Sequence, residues 1–253
     1  FLDPAFDDRQ LIEEFDLEAD EMGRSLFSRL RAGLRPECKH TLTHQHRMVD
    51  AIGSLISECF YDNALQNTAV PVPEWVGMTG LFQAQPVCWY STELFSNRAE
   101  AQQDRSYRNN CEVQQLKTLL GNLDLVLAAQ NCDEEIKVLL LAPYSAQVNA
   151  MRQSLQAMTL SSGNLSLEVN TVDAAQGREA DVLLFSTTRS NSTDTIGFLE
   201  NLPRANVALS RARYLLAIVG DAPFFSQVDS PFKRVLSHIR ANPESCSVSV
   251  VEP

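Results

Sequence analysis

Along residues 86–221 the apolar positions fall into short continuous runs, separated by longer stretches with helical spacing. "QPVCWYST", "IKVLLLAP", "LEVNTV", "DVLLFSTT" and "YLLAIVG" read as strands at 86–91, 137–142, 168–172, 182–188 and 214–219. Between them, "CEVQQLKTLLGNLDLVLAAQ", "SAQVNAMRQSLQAM" and "PRANVALSRAR" read as helices. The last opens on Pro203, near its first turn, where a missing N–H does no harm. Near-continuous apolar strands alternating with such helices predict an α/β fold, a parallel sheet covered on both faces. Ligands of such sheets collect at loops beyond the carboxyl ends of the strands. Upstream, residues 9–33 predict an amphipathic helix with Leu26, Phe27, Leu30 and Leu34 at helical spacing. Met48, Ile52, Leu55, Ile56 and Phe60 form one face of a second helix, and the Pro, Gly and Asn content of 62–84 reads as loop.

Composition adds bounds. At 253 residues, with 44% apolar and 21% charged, the chain has the make-up of a globular protein able to bury a full core. No apolar run approaches the ~20 residues of a membrane span. The start, "FLDPAFDDRQ", is acidic and unlike a signal peptide; lacking Met, it suggests a piece of a longer protein. The six cysteines (38, 59, 88, 111, 132 and 246) form no C-x-x-C pair and read as reduced thiols, so an intracellular, cytoplasmic or nuclear location is expected. A net charge of −11 excludes a generally basic nucleic-acid coat but not a local basic groove. Eight acidic residues lie in "FDDRQLIEEFDLEADE", marking residues 1–24 as an acidic extension.

Two stretches carry chemistry. On the helix expected over "PRANVALSRAR", Arg204, Val207 and Arg211 fall at i, i+3 and i+7, so two guanidiniums share a face while Arg213 points elsewhere. Arginine offers a planar fork of donors that suits phosphate oxygens; a solvated basic helix face is the plainer alternative. In "DAAQGREAD", Gly177 lets the backbone approach a ligand or take a positive φ. Gln176 can hydrogen-bond there, and Glu179 can accept from a sugar hydroxyl. Alone, this would be a polar loop. The order T-V-D-x-x-Q-G-R-E, strand, "RSN", "GFL…PRANVALSRAR", strand is more specific than that.

This combination resembles motifs V and VI of superfamily 1 helicases, in particular the up-frameshift-like group of subfamily 1B. "HQHRM" at 44–48, followed by "FYDNALQN", is similar to that group's Q-Y-R-M-H-P element, and "LAPYSAQV" to its Pro-Tyr-x-x-Q strand end. The likeness runs from about residue 25 to 221. It implies the second RecA-like domain of such a motor: a RecA-like, P-loop NTPase-type sheet over 1–253, with a C-terminal extension at 222–253. In that family ATP lies between two RecA-like domains, and the second supplies arginines to the γ-phosphate. Carried over, Arg211 is the arginine finger and Arg47 a second γ-phosphate arginine. Gln176, Gly177, Glu179 (at the ribose), Arg204 and His46 (at the adenine) would contact ATP. Thr171, Tyr144 and Gln147 would face single-stranded DNA or RNA. His46 stands where the family has Tyr, and Val49 and Asp50 replace His-Pro, so adenine contact is expected to be weaker.

The chain contains no G-x-x-x-x-G-K-[ST] loop and no acidic pair on an apolar strand. ATP and Mg²⁺ would therefore be held mainly by an upstream RecA-like domain of the same protein. The chain alone is expected to be inactive, as half of an ATP-dependent helicase. The rival reading is a stand-alone RecA-like scaffold or binding module. Cys38, His40, His44 and His46 are possible zinc ligands, but their C-x-H-x₃-H-x-H spacing matches no common finger, and no metal site is expected.

Overall fold

The computed structural model describes residues 26–78 and 85–253. The acidic extension at 1–24, the 9–25 part of the helix expected over residues 9–33 and the 79–84 part of the loop expected over 62–84 lie outside the described residues. The chain divides into two compact units, Phe1–Thr43 and His44–Pro253. In the first, α1 (Leu26–Gly33) leaves Leu30 and Leu34 exposed.

The second unit holds the sheet. In chain order its elements begin with β1 (His44–Gln45), α2 (Asp50–Phe60), β2 (Gln66–Asn67), α3 (Glu74–Met78) and β3 (Val87–Ser91). There follow β4 (Ala101–Gln103), β5 (Ser106–Arg108), α4 (Asn110–Ala129), β6 (Ile136–Ala142), α5 (Ser145–Gln156) and β7 (Leu165–Thr171). The last are β8 (Ala180–Ser186), α6 (Leu202–Leu209), β9 (Ala212–Gly220), α7 (Ala222–Gln227), α8 (Pro231–Ala241) and β10 (Cys246–Val250). Six strands form one sheet in the order β10-β3-β9-β8-β6-β7, every neighbouring pair parallel. β4 and β5 form a separate antiparallel hairpin.

The apolar runs explain this arrangement. All seven residues of β8 are buried, as is every residue of β6 except Lys137, because both faces of the central strands are covered. Helices α4 and α5 pack against β6–β9 on one side; α2, α6 and α8 pack against β3, β8, β9 and β10 on the other, as right-handed crossovers in opposite directions require. The expected face of α2 is inward: Met48, Ile52, Leu55 and Ile56 are at most 4% exposed. Residues 222–253, expected as an extension, supply α7, α8 and the edge strand β10. Their Phe225 and Phe232 close on Trp89 and Phe185, whose ring lies stacked on Phe232 at 5.4 Å.

α6 is shorter than its sequence suggests. It ends at Leu209, and Arg211 lies in the turn before β9. The β-prone run "ARYLLAIVG" takes the chain into the sheet one turn early.

Candidate functional site

Two groups of residues that the sequence placed together lie at opposite ends of the sheet. The cause is the connection between β7 and β8. Residues 172–179 join two parallel strands without an intervening α-helix, so they must return the whole length of a seven-residue strand. That length is about 20 Å, within reach of eight extended residues. Thr171 and Asp173 therefore sit at the carboxyl end of the sheet, and Gly177 and Glu179 at the amino end of β8.

At the amino end, the Ala180 N–H donates to the Arg211 carbonyl at 3.0 Å, and the Val49 N–H donates to the Arg213 carbonyl at 2.9 Å. These bonds bring the segments around residues 47, 179 and 211 together. Arg47 Nε donates to Glu179 Oε2 at 2.8 Å, and its Nη1 to the Ser210 carbonyl at 3.3 Å. Arg211 donates to the Val207 carbonyl at 2.8 Å, the Arg178 carbonyl at 2.9 Å and Ser210 Oγ at 2.9 Å. All its partners are neutral. Among the described residues no carboxylate forms an ion pair with Arg211. Burial first, and the Arg47 charge second, pull its affinity for a proton below the usual arginine range, against the opposing pull of Glu179 and Tyr61.

Gly177 takes φ +83°, and a Cβ there would meet no atom within 4 Å, so the backbone faces open space. Gln176 is exposed beside it. His46 is exposed, its Nδ1 2.9 Å from Thr68 Oγ1.

Arg204 is not part of this group. It is at the opposite end of α6 from Arg211, about 10 Å away at 1.5 Å of rise per residue. Its guanidinium pairs with Asp173 at 3.4 Å and lies 4.3 Å from the Phe198 ring centroid. The shared face expected for Arg204 and Arg211 does not exist, because the helix ends between them. Nor do the loops that carry the candidate residues all gather at the carboxyl ends of the strands, where the sequence pattern suggested they would.

At the carboxyl end, Tyr144 and Thr171 line one cleft of 640 Å³, with Arg105, Ser145, Asn149 and Phe198. Its floor is polar at the start of α5 and its wall aromatic. The Tyr107 and Tyr144 rings meet edge-on at 5.3 Å, and Phe198 lies 6.2 Å from Tyr144. Gln147, expected at this surface, is fully buried. Its Oε1 accepts from the Asn109 N–H at 2.7 Å and its Nε2 donates to the Asn109 carbonyl and Ser186 Oγ. It braces the sheet and has no donor left for a ligand.

Several residues here were not singled out from sequence. Arg189, in the "RSN" run, is 3% exposed, with its guanidinium 4.1 Å from the Tyr107 centroid and its Nε 3.2 Å from Glu100. Glu112 is fully buried. A carboxylate on a helix face among leucines is the one signal that could have drawn attention to it. Among the described residues no three His, Cys, Asp or Glu side chains are grouped to hold a metal ion, and no helix is long and apolar enough to cross a membrane.

Comparison with known proteins bears on this arrangement. A family model described as an AAA domain matches residues 22–223. A putative regulator of nonsense transcripts 1 from Takifugu rubripes is 32% identical over 212 residues, covering 81% of this chain and 18% of that protein. The DNA polymerase alpha-associated DNA helicase A of Schizosaccharomyces pombe is 31% identical over 215 residues, covering 78% and 30%. An uncharacterized ATP-dependent helicase of Methanocaldococcus jannaschii is 26% identical over 234 residues, covering 88% and 32%. The chain thus spans a third or less of each of these relatives. A solved C-terminal domain of a possible DNA helicase from Lactobacillus plantarum superposes with a TM-score of 0.40 at 14% identity, over 82% of this chain and 99% of that one, too loosely to bear on function. The family match spans both the amino-end arginines and the carboxyl-end cleft, and the chain belongs to the AAA-domain family of superfamily 1, up-frameshift-like helicases, as their second RecA-like domain.

Proposed function

We propose that this domain completes an ATP-driven helicase by presenting Arg211 and Arg47 to nucleotide held on an upstream RecA-like domain. The observation that carries the reading is the pair of guanidiniums converging on Ser210, one of them held only by neutral acceptors. A half-buried cation beside a like charge is a receptor for an anion. ATP would supply the phosphate negative charge that this pair lacks. Arg211, fixed by three hydrogen bonds, is preorganised for that charge. Arg47 is held by Glu179 in a pair whose side chains are 38% and 51% exposed, an interaction weak enough to exchange. Release of Arg47 would free Glu179 to accept from a ribose hydroxyl. Gly177, with open space above it, allows close approach of the backbone, and Gln176 and His46 are exposed nearby. Mg²⁺ is assigned to the upstream domain.

The cleft beside Tyr144 and Thr171 is assigned to single-stranded DNA or RNA. Aromatic rings above a polar floor suit stacked bases and a backbone. A motor acting on DNA or RNA works inside the cell, which is the location we assign.

The test is turnover by the intact helicase. Arg211→Ala should lower kcat by roughly 10³-fold or more, and Arg211→Lys should rescue it poorly, because one ammonium cannot reproduce the fork. KM for ATP should move far less, and strand binding without nucleotide should persist. Turnover within threefold of wild type would make Arg211 a structural residue and end the assignment.

A further inference from the structure

Thr188 is a β-branched residue with φ +68°, fully buried just beyond the carboxyl end of β8. Such residues avoid the left-handed region, and one found there is held by its surroundings. Both of its peptide groups are gripped. Glu112 Oε2 accepts from the Thr188 N–H at 2.8 Å, and Asn109 Nδ2 donates to the Thr188 carbonyl at 3.3 Å. Glu112 also accepts from Ser186 Oγ at 2.5 Å and Thr187 Oγ1 at 3.0 Å. Asn109 caps α4 by accepting from the Glu112 N–H at 3.2 Å, and Gln147 on α5 is bonded to both Asn109 and Ser186.

The position of this network in the sheet is informative. The chain leaves β6 towards β7 and leaves β8 in the other direction, towards β9. A crevice opens where neighbouring connections diverge, and parallel sheets bind ligands there. Here Glu112, Asn109 and Gln147 fill it. The crevice serves instead to fix the exit of β8.

Arg189 is the next residue beyond that exit. Besides stacking on Tyr107 and pairing with Glu100, it donates to the Tyr144 hydroxyl at 3.4 Å and to the Thr195 carbonyl at 2.8 Å. The Tyr144 hydroxyl also meets the Ile196 carbonyl and the Phe198 N–H, both at 3.3 Å. Gly197 passes so close that a Cβ would lie 3.0 Å from that hydroxyl. An unbroken set of contacts therefore leads from a buried carboxyl group, through a strained bend, to the aromatic wall of the cleft.

We propose that Glu112 is a positioning residue for strand engagement: by holding Thr188 in its left-handed bend it aims Arg189 between Tyr107 and Tyr144, and so sets the wall against which the bases pack. The inference rests on the reading that this cleft takes the strand. Neither Glu112 nor Thr188 touches nucleic acid. Replacing Glu112 with glutamine exchanges one of two oxygens, each facing two donors, for an NH2 that cannot accept at all, and the bend loses its grip. A glycine at 188 adopts the same φ without needing one.

The experiment uses the intact helicase and a single strand carrying 2-aminopurine, whose fluorescence is quenched when it stacks. Strand Kd, quench, kcat at saturating strand and Tm are read together. Tyr144→Ala should raise Kd roughly tenfold, as loss of one stacking ring does. Glu112→Gln should raise Kd at least threefold and weaken the quench, with a much smaller change in kcat. Adding Thr188→Gly to Glu112→Gln should bring Kd and quench most of the way back. A purely structural role would lower Tm without moving the Kd of the folded molecules. Should Glu112→Gln fail to fold, Arg189→Lys, which keeps a cation beside Glu100 but loses the planar stack, should still raise Kd at least threefold. If Tyr144→Ala weakens binding while Glu112→Gln and Arg189→Lys do not, the positioning role is wrong and the cleft assignment stands. If Tyr144→Ala changes neither Kd nor quench, the cleft assignment fails and the positioning role fails with it.

Discussion

At Glu112 burial and hydrogen bonding oppose each other. Burial pushes its carboxyl up to about 8, against the pull of the Ser186 hydroxyl, the Thr188 N–H and the Thr187 hydroxyl, and the neighbouring Glu100 adds to the rise. An unfolded glutamate titrates near ~4.3. Between these values the folded protein holds a proton that the unfolded chain releases, so this group's contribution to stability is full below the unfolded value and is lost as pH rises towards 8. Melting curves of the domain from pH 5 to pH 8.5 should show Tm falling with pH. Glu112→Gln should flatten that slope, whatever it does to Tm at a single pH. Parallel slopes for both proteins would mean that Glu112 stays ionised and that its hydrogen-bond donors outweigh burial. Arg211 presents the complementary case, a cation held by neutral groups. Its bonds to Val207, Arg178 and Ser210 fix its direction without cancelling its charge.

At the scale of elements, β10 carries more of the fold than its sequence suggests. It pairs in register with all of β3, from Cys246 on Val87 to Val250 on Ser91. Deleting 246–253 would turn β3, whose five residues are all buried, into an open edge. Loss of the Cys246 and Val248 burial should cost about 3 kcal/mol, lowering Tm by roughly 6–12 °C for a domain of this size. The truncated protein should also scatter light on heating before the 253-residue chain does. A Tm within 2 °C and no scattering would make β10 dispensable. Four of the other strands of the sheet are legible in the sequence as dense apolar runs, and β7, "LSLEVNT", by its alternation of apolar and polar residues. "CSVSV" alternates serine with valine and looks like a polar tail; only pairing on β3 makes it a strand. The β4–β5 hairpin escapes sequence reading for a related reason. Its turn uses Asp104 at φ +53°, not glycine, so the usual punctuation is absent. The site is legible as motif order but not as place. Nothing in "DAAQGREAD" indicates that eight residues cross the whole sheet and separate Thr171 from Glu179. Likewise "RSN" gives no hint that Arg189 is buried between rings.

On the scale of the whole domain, one rigid parallel sheet carries a cation pair at its amino end and an aromatic cleft at its carboxyl end. β8 runs between them, beginning beside Arg211 and ending at Ser186, two residues before Thr188. On the function proposed above, neither end is expected to cleave a nucleotide by itself. The crevice where a parallel sheet would cradle a ligand is filled by Glu112, Asn109 and Gln147, and the chain has no glycine-rich phosphate loop. Phosphoryl transfer needs the phosphates fixed and the metal placed before an arginine in trans can contribute its factor of roughly 10³–10⁵. Purified residues 1–253 should therefore show no steady-state ATP turnover above a buffer control, with or without single-stranded DNA or RNA. Covalent linkage to the upstream RecA-like domain that we propose should restore strand-stimulated turnover, and Arg211→Ala in the linked protein should abolish it. Turnover by the 253-residue chain alone that Arg211→Ala removes would mean that this sheet holds its own nucleotide. In that case the filled crevice would have to open, and Glu112 would be part of a gate.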